Sequence, residues 1–271
     1  MLRSLTGLAV LAAALLAVAC GPAATGTPHA RADASEVVVF AAASLTDAFA
    51  ALGAAFEAAH PEVRVTFNYA GSQQLAQQLV GGAPGDVFAA ANQAQMEAAI
   101  EAGRVEAPAV QPFVLNHLVA VVAGTAPVRT LADLAAPGVK LVLADSAVPV
   151  GQYALDFLDK AAADPAFTAT YRAAVLGNVV SYEENARAVL NKVVLGEADA
   201  GIVYASDVAQ VAEGTVRQVA IPDRLNVVAT YPIAPVADSH ALAPAAAFVD
   251  FVLSPQGQQI LEDYGFSRIT P

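Results

Sequence analysis

Cysteine is almost absent from this chain. Cys20 is the only one among 271 residues, so no internal disulfide can form and no Cys/His cluster is available to hold a metal cation. Positive charge is scarce too: 13 Lys and Arg stand against 25 Asp and Glu, a formal net charge of −12. Nothing basic is on hand to neutralise phosphates, which excludes nucleic acid as a partner. Nor can so acidic a chain collect anions by long-range attraction, so any anion site must work through local, fixed hydrogen-bond donors. The four histidines, His29, His60, His117 and His240, sit in no recognisable triad, and no H-E-x-x-H, Walker A or G-x-G-x-x-G pattern occurs. A serine nucleophile would need a general base beside it; with none in sight, the chain is not expected to be an enzyme. Hydrophobic residues make up 56% of the chain, but many are alanine. Past the first twenty residues no apolar run reaches the length of a membrane helix.

What is present begins with a leader. Arg3 supplies a positive start, Leu8 to Leu16 is a short apolar run, and the small residues Ala17, Val18 and Ala19 precede Cys20. This three-part form reads as an export signal over residues 1–20, the part ahead of Cys20 being removed on maturation. The position of Cys20 resembles a bacterial lipobox, although Ala17 stands where leucine is usual. That resemblance implies lipidation of Cys20 and a chain exported and held at the outer face of the cell membrane, or free in the periplasm. Residues 21–35, rich in Gly, Ala, Thr and Pro, read as a flexible tether.

From Glu36 onward, apolar runs of strand length alternate with amphipathic segments of helix length. Strands are expected at Glu36–Ala41, Val63–Tyr69 and Asp86–Ala90, with helices at Leu45–Ala59, Gln73–Val80 and Gln93–Ala102. A second set follows. Its strands are Leu118–Val122, Lys140–Ala144 and Ala200–Tyr204; its helices are Thr130–Leu134, Gln152–Ala162, Pro165–Leu176 and Asn185–Val194. Apolar runs at Val216–Ile221 and Val227–Ile233 lead to helices near Pro244–Leu253 and Pro255–Tyr264. This βαβα alternation predicts α/β layers with a largely parallel sheet in each of two lobes. No repeat of roughly 20–50 residues is visible, which argues against a solenoid. The aromatics Phe49, Phe56, Phe88 and Phe113 fall on faces expected to be buried.

Several strand-to-helix turns could meet an anion. Ala41-Ala42-Ala43-Ser44 ends a buried strand and opens a helix, where free N–H groups and the helix dipole favour negative charge; the plain alternative is that Ser44 is only an N-cap. Tyr69-Ala70-Gly71-Ser72 repeats the pattern, with Gly71 permitting unusual backbone angles or a close approach. In the second set, Val148-Pro149-Val150-Gly151 leaves N–H groups free near Val150. Asn185 is a good cap that leaves Ala186 to offer an N–H, and Tyr204 ends a buried strand with a phenolic donor. Glu183 and Glu184 read better as a solvated helix start, favoured by the dipole, than as an acid–base pair.

Taken together, AAASLTDA (Ala41 to Ala48), GAPGDVF (Gly82 to Phe88), VPVGQYA (Val148 to Ala154), GIVYASD (Gly201 to Asp207) and the closing Tyr264-Gly265-Phe266 resemble the molybdate-binding proteins of bacterial ABC importers. GAPGDVF alone is shared with other two-lobed binding proteins; AAASLTDA and VPVGQYA are more specific. The resemblance implies a type II periplasmic-binding-protein-like fold: lobe 1 from residues 36–117 plus 231–271, lobe 2 from 118–230, and a hinge between them. It implies that Ser44 and Ser72 from one lobe, with Val150, Ala186 and Tyr204 from the other, hold molybdate or tungstate as ligand. Val150 and Ala186 stand where the family often has Ala and Val, and both act through the backbone N–H. No cofactor is implied, and the molybdenum is held through its oxygens with no direct protein–metal bond. The implied partners are an ABC permease with its cytoplasmic ATPase and, through Cys20, the membrane; the chain is expected to act as a monomer. About seven neutral donors, each worth roughly 1.5–3 kcal/mol gross toward an anion, suit a fully deprotonated oxyanion. Sulfate, thiosulfate and phosphate remain as alternatives, as does a receptor role in which closure informs some other partner. A protonated phosphate would also want an acceptor, and sulfate has shorter bonds than molybdate, so cavity size would discriminate.

Overall fold

The computed structural model describes residues 35–269. The signal, Cys20 and nearly all of the tether lie outside the described residues. Ser35, read as the tether's last residue, instead opens the first strand, paired with Val63.

The first sheet is built from β1 (Ser35–Ala42), β2 (Val63–Ala70), β3 (Val87–Ala89), β4 (Gln111–Asn116) and β10 (Ala229–Pro235), in the order β2-β1-β3-β10-β4. The second contains β5 (Leu118–Ala123), β6 (Leu141–Ala144), β7 (Val179–Glu183), β8 (Ala200–Tyr204) and β9 (Val216–Ala220), in the order β7-β6-β8-β5-β9. The helices are α1 (Thr46–Ala59), α2 (Ser72–Val80), α3 (Gln93–Glu101), α4 (Pro149–Ala163), α5 (Tyr171–Gly177), α6 (Ala186–Val194), α7 (Ala205–Ala209), α8 (Leu242–Leu253) and α9 (Pro255–Asp263). This is a two-lobed α/β fold of mixed sheets. In each, three neighbouring strands are parallel, and one strand, β10 or β5, runs against both its neighbours. The reversed strands are those entered by crossing between sheets: the chain leaves the first after Asn116, enters the second at Leu118, and returns at Ala229. A crossing strand need not follow a βα crossover, so nothing obliges it to lie parallel.

Period-two burial seats the first sheet between helices. Val37, Val39 and Ala41 share a cluster with Phe49, Leu52 and Phe56 of α1 and Phe248 of α8. Phe40 points the other way, into a cluster with Leu75 and Leu79 of α2 and Met96 of α3. Phe49 is edge-on to Phe67 and Phe248, and Phe49, Phe56, Phe88 and Phe113 are all buried. In the second sheet every residue of β5 is buried, and α4 and α6 pack on β6, β8 and β5. The two C-terminal helices pack on the first sheet's side, α8 against β10 and α9 against α1.

Three local readings change. Pro165–Leu176 is helical only from Tyr171. Before that, the Asp164 carboxylate accepts from Ala166 N–H and from Arg224, an Asx turn that occupies the backbone of the Pro165 segment. β4 and β7 are not evident in the alternation, because Pro112 interrupts the first and the second is a half-exposed edge strand. Pro232 lies inside β10, between two strands. It sits opposite Pro112 at a bulge beside Tyr231, so two residues that lack N–H groups face each other and the lost ladder bond is shared.

Candidate functional site

Four helix starts and one strand end meet at the cleft between the sheets. A 3₁₀ turn at Ala43–Leu45 precedes α1, and α2, α4 and α6 begin at Ser72, Pro149 and Ala186. Together with Tyr204 at the end of β8, they enclose a cavity of about 20 Å³. Its lining includes all five residues expected from the sequence: Ser44, Ser72, Val150, Ala186 and Tyr204. Among the described residues, no charged side chain and no histidine lines it. The first N–H groups of a helix have no partner within the helix, and they give the cavity wall a positive edge.

Each position has a local cause. Ser44 is not an N-cap. Its Oγ lies 2.9 Å from the Tyr231 hydroxyl, while Thr46 Oγ1 donates to Ala43 O. Ser72 Oγ accepts from the backbone N–H of Ala91 at 2.9 Å, so its own hydrogen is free to point elsewhere. Asn185 caps α6, its Oδ1 accepting from Ala188 N, which leaves the buried Ala186 at the helix start. Pro149 opens α4 with the backbone angle a helix needs and no N–H to lose. Gly151 is dictated by packing: a Cβ there would stand 2.0 Å from Asp145 O, so only glycine lets this helix begin directly above the end of β6. Tyr204 is buried and, among the described residues, its hydroxyl has no hydrogen-bond partner. Burial pushes the phenol well above its usual range, so it remains a protonated donor.

The lobes touch on the rim of this cavity. Gln73 Nε2 donates to Glu184 O and Gln74 Nε2 to Glu184 Oε2, both at 3.0 Å. Glu184 is therefore not simply a solvated helix start; its backbone and carboxylate meet α2. Gly71 is buried with φ −59°, which any residue can adopt. Close approach is its reason, since a Cβ would lie 2.5 Å from Glu184 O. Arg187 at the start of α6 reaches Asp47 of α1 across the cleft and lies 3.7 Å from Asp207 of α7. Sequence reasoning missed Asp47, Arg187, Tyr231 and Asn116. A tyrosine on the buried side of a strand was the available signal, because its hydroxyl must find a partner. The GAPGDVF segment proves structural: Asp86 accepts from Val38 N–H and from the Ser239 hydroxyl.

Asp207 is fully buried. Burial pushes its carboxyl up to about 6, opposed by the Arg187 guanidinium and the Tyr204 N–H, and aided by Asp47. An acid whose pKa rises on folding favours the folded state in its neutral form. Its contribution is fully present below about pH 4 and is lost as pH rises through about 6, a change of about 3 kcal/mol. Asp207→Asn removes this titration but keeps an acceptor for Tyr204 N–H. Urea melts from pH 4 to 7 are expected to show the variant gaining stability relative to the parent as pH rises. A difference that stays constant would refute the assignment.

Comparison with known proteins agrees with the two-lobed α/β fold. A family model described as bacterial extracellular solute-binding protein matches residues 37–267. The chain is similar to the molybdate-binding protein ModA of Mycobacterium tuberculosis, 38% identical over 267 residues that cover 97% of each chain. Among solved structures it is similar to the sulfate-binding protein SubI of Mycobacterium tuberculosis, with a TM-score of 0.77 at 21% identity over 88% of each chain. It is also similar to the periplasmic molybdate-binding protein of Azotobacter vinelandii, with a TM-score of 0.74 at 17% identity over 87% of this chain and 99% of that one. At such identities these structural likenesses carry the fold and not the ligand.

Proposed function

The chain belongs to the bacterial extracellular solute-binding proteins, and on that premise we propose that it captures molybdate, with tungstate as a close substitute, between its two lobes for an ABC importer. The observation that carries this reading is the chemistry of the cavity wall: neutral donors and apolar atoms, with no acidic acceptor. A fully deprotonated oxyanion can use every donor, whereas a protonated one must spend a hydrogen where no carboxylate receives it. The volume, about 20 Å³, is far below the roughly 300 Å³ at which pockets begin to take drug-sized organic ligands. The similarity to the molybdate-binding relative over nearly the full length supports molybdate over sulfate.

In this reading Ser44 and Ser72 from one lobe, and Val150, Ala186 and Tyr204 from the other, bind the oxygens. Residues 36–117 with 231–271 move against 118–230, and the ligand stabilises the closed form by its greater affinity for it. The closed protein then docks on a permease driven by a cytoplasmic ATPase. It works outside the cytoplasm as a monomer, with lipid on Cys20 raising its concentration near that permease. Among the described residues no helix is long and apolar enough to cross a membrane. Membership in a family of solute-binding proteins supports binding without turnover.

A thermal-shift titration of the soluble chain from Ser35 with molybdate, tungstate, sulfate and phosphate at matched ionic strength tests this. Ligand at 100 times its dissociation constant adds about 2.7 kcal/mol, or roughly 5–10 °C for a protein of this size. A rise with molybdate and tungstate alone is expected. A rise only with sulfate or phosphate would transfer the function to that anion.

A further inference from the structure

Two hydroxyls face the proposed ligand from the first lobe, and the surroundings of each occupy one of its lone pairs. For Ser72 the cause is direct: the Ala91 backbone N–H can only donate, and it occupies a lone pair of Ser72 Oγ at 2.9 Å. For Ser44 the cause lies one residue further back. The buried Tyr231 hydroxyl has two hydrogen-bonding neighbours, Ser44 Oγ at 2.9 Å and Asn116 Nδ2 at 3.4 Å, while the Tyr204 hydroxyl faces it outside hydrogen-bonding geometry. Asn116 is itself buried, and its orientation is settled by its other contacts. Its Oδ1 accepts from His117 N–H at 3.0 Å, while Nδ2 donates to Ser206 Oγ at 2.8 Å. Turning the amide over would set its NH₂ group against the His117 N–H. An amide nitrogen accepts no hydrogen bond and the Tyr204 hydroxyl lies outside hydrogen-bonding geometry, so among the described residues the acceptor within reach of the Tyr231 hydrogen is Ser44 Oγ.

We propose that Asn116 and Tyr231 are positioning residues that favour Ser44 as a hydrogen-bond donor toward the cavity, and so favour fully deprotonated oxyanions over protonated ones. This rests on the oxyanion reading of the site. Neither residue lines the cavity; both act through Ser44. Tyr231 donates to Ser44 Oγ, and the Ser44 hydrogen is left for the ligand. With Ser72 polarised by the backbone and Ser44 by this relay, each serine has one lone pair occupied and its hydrogen free to bond the ligand. Hydrogen phosphate also needs an acceptor for its own hydrogen, and a serine with one lone pair already occupied is a poorer one.

The test is a double-mutant cycle read by calorimetric titration with molybdate and with hydrogen phosphate near neutral pH. Tyr231→Phe keeps the ring and its edge-on contacts with Phe113, Tyr204 and Phe266. It is expected to weaken molybdate binding about two- to tenfold, while hydrogen phosphate loses nothing or gains. In a Ser44→Ala background the same change is expected to do nothing further, because its effect passes through the missing hydroxyl. Asn116→Asp provides a second variant: a carboxylate would take the Tyr231 hydrogen, turn Ser44 into a donor toward Tyr231, and present a lone pair to the cavity. It is expected to shift selectivity further toward hydrogen phosphate. Losses that multiply in the double mutant, or molybdate and phosphate affinities that fall by one common factor, would overturn the relay while leaving the oxyanion reading intact. A parent protein that binds no oxyanion at all would overturn both.

Discussion

Gly71→Ala is expected to weaken anion binding by about 5- to 150-fold without lowering the stability of the ligand-free protein. The backbone at Gly71 has φ −59° and ψ 138°, which alanine adopts freely and which costs the unfolded chain less entropy than glycine does. The added methyl matters only when the lobes meet, because its obstacle is Glu184 O of the other lobe, 2.5 Å away. Relieving such an overlap costs about 1–3 kcal/mol, and that energy is subtracted from closure and therefore from affinity. The Gln73 side chain, which also lies near the new Cβ, can swing aside; a backbone carbonyl at the head of α6 cannot move so easily. Calorimetry and thermal melts on the same preparation separate the two effects. An unchanged affinity would mean that binding does not require the approach seen here.

Tyr204→Phe is expected to weaken binding by about 10- to 150-fold, the loss of one charge-assisted donor worth roughly 1.5–3 kcal/mol. Its effect on the ligand-free protein should be absent or favourable. Among the described residues the buried hydroxyl has no hydrogen-bond partner, so removing it forfeits no internal bond, and the ring packing on Tyr231 survives. Most binding-site substitutions that cost affinity through misfolding lower stability as well. This one should leave the melting temperature unchanged or raised while affinity falls. A variant that binds as tightly as the parent would remove Tyr204 from the site.

The alternation of strand and helix is legible in the residues because burial on a sheet and burial on a helix leave different periods. Val63–Ala70 and Thr46–Ala59 lie within a residue of where those periods put them. Where a period is broken for a local reason, the reading fails. Pro112 hides β4, an Asx turn at Asp164 delays α5, and the half-exposed β7 lacks a clear apolar face. The five cavity residues come into view through a resemblance carried by short motifs, and the structure gives those motifs physical content: Gly151 permits α4 to sit on β6, and Asp207 ties α7 to the end of β8. Other groups at the site have no local signature. Asn116 and Tyr231 are more than a hundred residues apart, and Arg187 and Asp47, which meet across the cleft, are 140 apart. Pairings of that kind depend on topology, which no window of sequence contains.

The central claim is that a molybdate-sized oxyanion sits among Ser44, Ser72, Val150, Ala186 and Tyr204. Crystals grown with molybdate, measured on both sides of the molybdenum absorption edge, test it most directly. The predicted result is one strong anomalous peak in the cavity, its surrounding oxygens within hydrogen-bonding distance of the two serine hydroxyls, the Val150 and Ala186 N–H groups and the Tyr204 hydroxyl. A cavity without a peak, or a peak only in the open groove beside Arg104 and His240, would contradict it.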